Sequence, residues 1–145
     1  MKLIINTDGG SRGNPGPAGI GAVIRFEDFE SEKLKEISKY IGDATNNQAE
    51  YTAVLEALNY IVENHKTDEP EMEFRLDSQL VVEQLKGNYK LKNEGLKPLF
   101  WQIRDLIMEL GGKASFTHIP REENSQADKL VNEALDKAME NKNGV

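Results

Sequence analysis

Four acidic side chains in this sequence stand where the chain is expected to change direction. Asp8 closes a short apolar run from Lys2, Asp77 closes another from Glu71, and Glu50 and Asp128 fall close to the starts of two predicted helices. In an α/β sheet, ligands bind where strands finish and helices begin. If the first and fourth strands are parallel neighbours, Asp8 and Asp77 lie side by side at one edge of the sheet. Two helix N-termini would then bring Glu50 and Asp128 to the same place, with dipoles that favour the ionised carboxylates. Alone, each acid reads as an ordinary cap-region or turn residue. Packed together without a cation, the four would repel one another and raise their pKa values. Such a cluster suits a hard divalent cation, which takes oxygen ligands. With two histidines and no cysteine in the chain, magnesium or manganese fits better than zinc.

The elements that must position these acids can be read along the chain. Lys2 to Asp8 reads as a buried strand, Gly9 to Gly19 as a glycine- and proline-rich loop, and Ile20 to Glu27 as a second strand. Ser31 to Ile41 reads as a third strand after a hairpin break at Phe26 to Phe29, although Leu34, Ile37 and Ile41 also fit a helix. Asn46 to His65 carries Tyr51, Val54, Leu55, Leu58, Ile61 and Val62 at helical spacing, with Asn46 or Asn47 as its cap. Glu71 to Asp77 alternates as a strand, and Ser78 caps a short helix ending before Gly87. Pro98 opens a helix to Leu110, and Ala114 to Ile119 is a last strand. Asn124 caps a final helix with Ala127, Leu130, Val131, Ala134 and Ala138 on one face, and residues 141–145 are expected to fray. The order βββαβααβα predicts a mixed α/β sheet, antiparallel through strands one to three, with strands four and five added in parallel.

Composition narrows the class. A chain of 145 residues suits one domain spanning 1–145, large enough to bury roughly 70% of its unfolded surface. At 38% hydrophobic and 30% charged, it reads as a folded soluble protein. The absence of cysteine excludes a disulfide scaffold, a thiolate zinc site and a cysteine nucleophile, and fits a reducing compartment. Eighteen Lys and Arg against 25 Asp and Glu give a net charge of −7. A polyanionic partner would therefore need a local basic patch or metal ions. No apolar run approaches the ~18 residues of a spanning helix, and Met1 to Ile5 is too short for a signal peptide. The expectation is a cytoplasmic protein with no membrane association.

With these residues in view, the sequence resembles type 1 ribonuclease H. Thr7-Asp8-Gly9-Gly10-Ser11 and the following Gly13-Asn14-Pro15-Gly16-Pro17-Ala18-Gly19-Ile20-Gly21 resemble that family's first strand and loop. Thr45-Asn46-Asn47-Gln48-Ala49-Glu50 is similar to its segment carrying the catalytic Glu, and Asp77-Ser78-Gln79 to its Asp-Ser-Gln triplet. Asn124-Ser125-Gln126-Ala127-Asp128 is similar to its final Asn-x-x-Ala-Asp element. The resemblance runs from Leu3 to about Ala138, and the four motifs occur in order, each at a predicted element boundary. It implies a ribonuclease H-like fold: a five-stranded mixed sheet in the order 3-2-1-4-5 with helices on both faces. It implies an endoribonuclease that cuts the RNA strand of RNA/DNA hybrids. Asp8, Glu50, Asp77 and Asp128 match the family's catalytic, metal-binding acids. Two magnesium ions (or manganese as a substitute) roughly 3.5–4 Å apart would bracket the scissile phosphate. One would activate water and the other stabilise the departing 3′ oxygen, leaving 5′-phosphate and 3′-hydroxyl ends.

The resemblance also implies substrate contacts. The 2′-hydroxyl distinguishes RNA from DNA and is read in the wide minor groove. Asn14, Asn46 and Gln79 match the family's hybrid-contacting amides, and Gly13 lets the backbone approach closely. Asn14 also reads as a turn residue before Pro15 and Asn46 as a helix cap, roles compatible with binding. Thr45 and Asn93 align with the family's DNA-phosphate pocket, but the basic residue often found two before that Thr is Asp43 here. Between Gln84 and Arg104 stand Lys86, Lys90, Lys92, Lys97 and Arg104 against Glu94 alone, with Tyr89, Phe100 and Trp101 among them. This stretch reads either as a DNA-strand channel or as a solvated helix face with an aromatic in the core. The Gly87 to Pro98 connection is too short for the extra basic helix of some members. Modest affinity and steep salt dependence follow.

One departure is chemical. Many members carry a histidine on the loop before the last helix; here that loop is Pro120 to Asn124, and Arg121 could occupy the region of the missing group. His118 falls inside the predicted strand in phase with Phe116 and reads as a strand-face residue, and His65 as a dipole partner at a helix C-terminus. Reduced turnover is the expectation. Competing readings are a DNA or structured-RNA nuclease of the wider fold, opposed by Asn14, Asn46 and Gln79, and a non-catalytic or reverse-transcriptase-fused module, opposed by retention of all four acids. The sequence shows no obligate protein partner. A free-standing monomer acting on RNA/DNA hybrid is the expectation.

Overall fold

The structure is a computed structural model that describes residues 1–29 and 32–142. Three long strands come first: β1 (Lys2–Ser11), β2 (Gly16–Phe26) and β3 (Lys33–Ala44). Helix α1 (Asn46–His65) follows, then β4 (Glu71–Leu76), α2 (Gln79–Lys86), α3 (Lys97–Glu109), β5 (Ala114–His118) and α4 (Ser125–Lys142). The sheet order is β3-β2-β1-β4-β5, as the resemblance implies, with β1-β2-β3 antiparallel and β4 and β5 parallel additions, as the element order predicts.

The expected loop from Gly9 to Gly19 is mostly strand. β1 runs on to Ser11 and β2 begins at Gly16, so the turn between them is short. Glycines within these two strands let helices approach the sheet closely. A Cβ on Gly9 would lie 2.3 Å from the backbone carbonyl of Ala49, and one on Gly21 would lie 2.3 Å from the Ala127 carbonyl oxygen. Gly9 thus lets α1 press on one face of the sheet, and Gly21 lets α4 press on the other. These are the helices that carry Glu50 and Asp128.

The larger core lies on the α1 face. Leu3, Ile5 and Phe74 of the sheet pack there against Val54, Leu58 and Ile61 of α1, Val81 of α2 and Ile103 of α3. On the other face α4 buries Ala127, Leu130, Val131, Ala134 and Leu135, with Ala138, also expected on that face, only half-buried. The third element is a strand rather than a helix over its described part; Ser31, where it was expected to begin, lies outside the described residues. Helix α4 runs on through the first two residues of the expected frayed tail, and 143–145 lie outside the described residues.

Candidate active site

The parallel register of β1 and β4 pairs Asn6 with Arg75. Two steps further on, Asp8 comes opposite Asp77, where β4 has ended at Leu76 and the strands part. Into this gap α1 sends Glu50 from its second turn. One carboxylate oxygen each from Asp8, Glu50 and Asp77 lies within 4.8 Å of the others. Asp128, in the first turn of α4, lines the same cleft of about 480 Å³ without joining that close trio.

Electrostatics in the cleft favour a cation. Burial pushes Asp8 up to about 7, and the neighbouring Asp77 and Asp128 charges add to it, against the Gly9 N–H, which donates to Oδ1 at 3.0 Å. Glu50 is raised well above the usual carboxylate range, first by burial and then by Asp8. The helix dipole expected to keep Glu50 ionised acts mainly within the first turn, and burial overrides it here. Glu50 is 7% exposed, and its buried Oε2 has no hydrogen-bond partner among the described residues. An all-oxygen donor set, a buried unpartnered carboxylate oxygen and two carboxyls destabilised as anions fit a hard divalent cation.

The amides expected to contact substrate are tied to one another. The Asn46 backbone N–H donates to Asn14 Oδ1 at 3.0 Å, and the Ser11 backbone N–H donates to Asn46 Oδ1 at 2.9 Å. Ser11 Oγ donates to the same oxygen at 3.1 Å. This clasp joins the β1–β2 turn, where Gly13 has φ 106°, to the start of α1. Both carbonyl oxygens are engaged. The amide groups left to read a ligand are the Nδ2 donors, which suit the acceptor face of a 2′-hydroxyl. The sequence did not single out Ser11; its place beside the acid motif was the signal available.

The α1 cap is Thr45, not Asn46 or Asn47. Its Oγ1 accepts from Gln48 N at 3.1 Å, while Gln48 Oε1 accepts from Thr45 N at 2.9 Å. Asn93 folds its Oδ1 onto the Gly95 N–H at 2.8 Å, and Gly95 lies against the Gln48 side chain. Asn93 and Thr45 therefore share a neighbourhood beyond the clasp. Gln79 is exposed at the start of α2, beside Ser78, which lines the cleft. Arg121 also lines the cleft, from a 3-10 turn, Arg121–Asn124, placed before α4. Asn124 does not cap α4; it is buried and reaches back to β1, as described below.

The basic stretch divides. Lys97 pairs with Glu94 at 2.7 Å, and Phe100 packs against the core beneath Arg104. Trp101 is 60% exposed and Tyr89 is exposed as well. Lys86 and Arg104 line a groove of about 560 Å³ between α2, α3 and β5. That groove is larger than the acid-lined cleft but has no carboxylate in its lining, so the site chemistry belongs to the cleft. His118 lies exposed on β5, and His65 stands 3.2 Å from Asp68 as well as at the end of α1.

Residues 6–134 match the family model described as reverse transcriptase-like. A structure of LC11-RNase H1 in complex with RNA/DNA hybrid is 50% identical in sequence, with a TM-score of 0.90, over 95% of this chain and 99% of that one. The ribonuclease H of Ruthia magnifica is 35% identical over 94% of this chain and 97% of its own length. A bifunctional protein of Mycobacterium tuberculosis is 43% identical over 95% of this chain but only 36% of its own length. The chain thus spans about a third of the first curated relatives it matches. From fold, cleft and near full-length relatives alike, this chain belongs to the ribonuclease HI family.

Proposed function

We propose that this chain is an endoribonuclease that hydrolyses the RNA strand of RNA/DNA hybrids, leaving 5′-phosphate and 3′-hydroxyl ends. The observation that carries the reading is the trio Asp8, Glu50 and Asp77 within 4.8 Å of one another, with a buried Glu50 oxygen lacking a hydrogen-bond partner among the described residues. Asp8, Glu50, Asp77 and Asp128 would hold two divalent cations, magnesium by preference and manganese as a substitute. When bound, such ions lower the pKa of an attacking water and stabilise the departing oxygen.

The chain's own groups do the rest. Asp8, whose Oδ1 accepts from the Gly9 N–H, would hold a cation together with Glu50 and Asp77. The Asn14–Asn46 clasp presents amide donors to the RNA 2′-hydroxyl, and Gly13 keeps that turn close to the backbone. Gln79 contacts the hybrid from the start of α2. Thr45 and Asn93 meet a DNA phosphate, with Lys90, Lys92 and exposed Trp101 farther along the DNA strand. Arg121, at the cleft wall, supplies positive charge to the phosphate in place of a loop histidine.

The reading extends to a single catalytic domain over residues 1–145, acting as a monomer in the cytoplasm. No helix among the described residues is long and apolar enough to cross a membrane. The LC11-RNase H1 complex with RNA/DNA hybrid favours hybrid over the alternative substrates. The test is cleavage of an end-labelled hybrid beside RNA duplex, DNA duplex and single strands, with magnesium and manganese supplied separately. Cutting confined to the hybrid's RNA strand supports the reading. Equal cutting of DNA duplex sinks it.

A further inference from the structure

Asn124 is 1% exposed, and its amide is fully used. Its Oδ1 accepts from Asn6 Nδ2 at 3.1 Å. Its Nδ2 donates to the Thr7 carbonyl oxygen at 2.9 Å and, more weakly, to Asp77 Oδ2 at 3.4 Å. An amide nitrogen has two hydrogens, so both are spent. Only one orientation works. Turned over, the Asn124 carbonyl would face two acceptors, the Thr7 oxygen and the Asp77 carboxylate, and the Asn6 amide would face a second N–H₂.

Asn6 selects that orientation. It sits inside the apolar run of β1 and is buried, a costly place for an amide unless its bonds are used. Among the described residues its Oδ1 has no hydrogen-bond partner, nor has Arg25 Nε, and both residues line a polar cavity of about 100 Å³. A cavity of that size and polarity has room for water to bridge the acceptor and the donor. Asn6 lines that cavity and offers its N–H₂ to Asn124.

The three elements joined here carry three of the four acids. Thr7 precedes Asp8 on β1, Asp77 follows β4, and Asn124 ends the turn that leads into Asp128 on α4. We infer that the buried Asn6–Asn124 amide pair is a positioning device for the acid cleft, fixing the Asp77 carboxylate and the start of α4 relative to Asp8 so that the site is set for a divalent cation. The inference rests on the metal-binding reading above. Neither asparagine is a ligand, and both act through the acids. Hydrogen-bond partners of metal ligands typically change metal affinity 10- to 100-fold when removed; the long contact to Asp77 puts this one at the lower end.

The test uses Mn²⁺ alone as the probe, titrated by electron paramagnetic resonance without nucleic acid, alongside melting temperatures in chelator. The variants are Asn124→Ala and Asn6→Leu, the second keeping the branched shape of the side chain at a residue that makes no bond to any of the four acids. Mn²⁺ dissociation constants are expected to rise about tenfold in Asn124→Ala and in the same direction in Asn6→Leu, in protein that is still folded. Folded variants that bind Mn²⁺ as the wild type does would overturn the inference, as would failure of both variants to fold, which would assign the pair to stability alone. If Asn124→Ala alone does not fold, Asn6→Leu decides. A wild-type protein that binds no Mn²⁺ would instead remove the metal-site reading itself, which makes the two failures distinguishable.

Discussion

Gly9 is the point at which a single methyl group should move an acid of the cleft. A Cβ there would stand 2.3 Å from the Ala49 carbonyl carbon and oxygen and 2.6 Å from the Glu50 backbone nitrogen. These are backbone atoms of a buried helix, so no side chain can swing away. Relief requires α1 to withdraw by about 1 Å, and Glu50 moves with it. Overpacking of this kind typically costs about 1–3 kcal/mol, which at this chain length lowers the melting temperature by roughly 3–10 °C. Misplacement of a reacting constellation by about 1 Å costs on the order of 10²-fold in turnover. The assay pairs Gly9→Ala with Gly10→Ala, whose Cβ would meet nothing closer than Val131 Cγ1 at 3.8 Å. Melting and metal binding are measured for both, and hybrid cleavage for Gly9→Ala. Gly9→Ala should lose stability and turnover together, while Gly10→Ala melts at or above the wild-type temperature because it removes unfolded-state freedom. A Gly9→Ala protein with wild-type melting and turnover would refute the close-approach reasoning.

The raised carboxyls make stability depend on pH. Asp8 at about 7 and Glu50 above its usual range hold protons in the folded state that the unfolded chain has released. Their stabilising contribution is complete below the unfolded values and lost as pH rises through the folded ones. In chelator, the melting temperature should therefore fall between about pH 4 and pH 8; saturating magnesium should flatten that fall by binding the anionic forms. Asp8→Asn should raise the metal-free melting temperature by removing a buried like charge, yet abolish both the magnesium-induced shift and cleavage. Arg121→Ala should lower kcat by roughly tenfold, less than the 10²–10³ of a buried oxyanion donor because the guanidinium is exposed, with KM for hybrid little changed. Raising salt should weaken hybrid binding linearly on a log–log plot, and replacing Lys90 and Lys92 together by Ala should reduce that slope by about two.

Much of the fold was legible because its signals are local. Period-two and period-3.6 patterning located the strands and helices, and the βββαβααβα order leaves few topologies. The four acids were legible because each reads as lying close to an element boundary; Asp77 and Asp128 do, while β1 runs on past Asp8 to Ser11 and Glu50 lies in the second turn of α1, and the register of β1 against β4 does bring Asp8 and Asp77 together. What escaped depends on contacts between distant segments. Glycines at 9 and 19 read as loop punctuation, yet they lie in strands and, like Gly21 inside the second expected strand, make room for α1 and α4. Asn124, placed before a helix, read as a cap; its amide instead bonds residues more than a hundred positions away. Thr45 took the cap from Asn46, leaving Asn46 Oδ1 for Ser11. The lysine-rich stretch looked uniform, but the α3 helix turns Phe100 toward the core and leaves Trp101 exposed. Asn6, like Ser11, gave an unused signal, since an amide inside an apolar strand implies a buried polar partner.

Cleavage of a hybrid labelled separately on its RNA and DNA strands, by the wild type and by Asp77→Asn, tests the acid-cleft nuclease most directly, with the new ends identified chemically. The expected result is magnesium-dependent cutting of the RNA strand alone, giving 5′-phosphate and 3′-hydroxyl ends, and no cutting by Asp77→Asn. Cutting without a divalent cation, cutting of the DNA strand, or full activity in Asp77→Asn would contradict it.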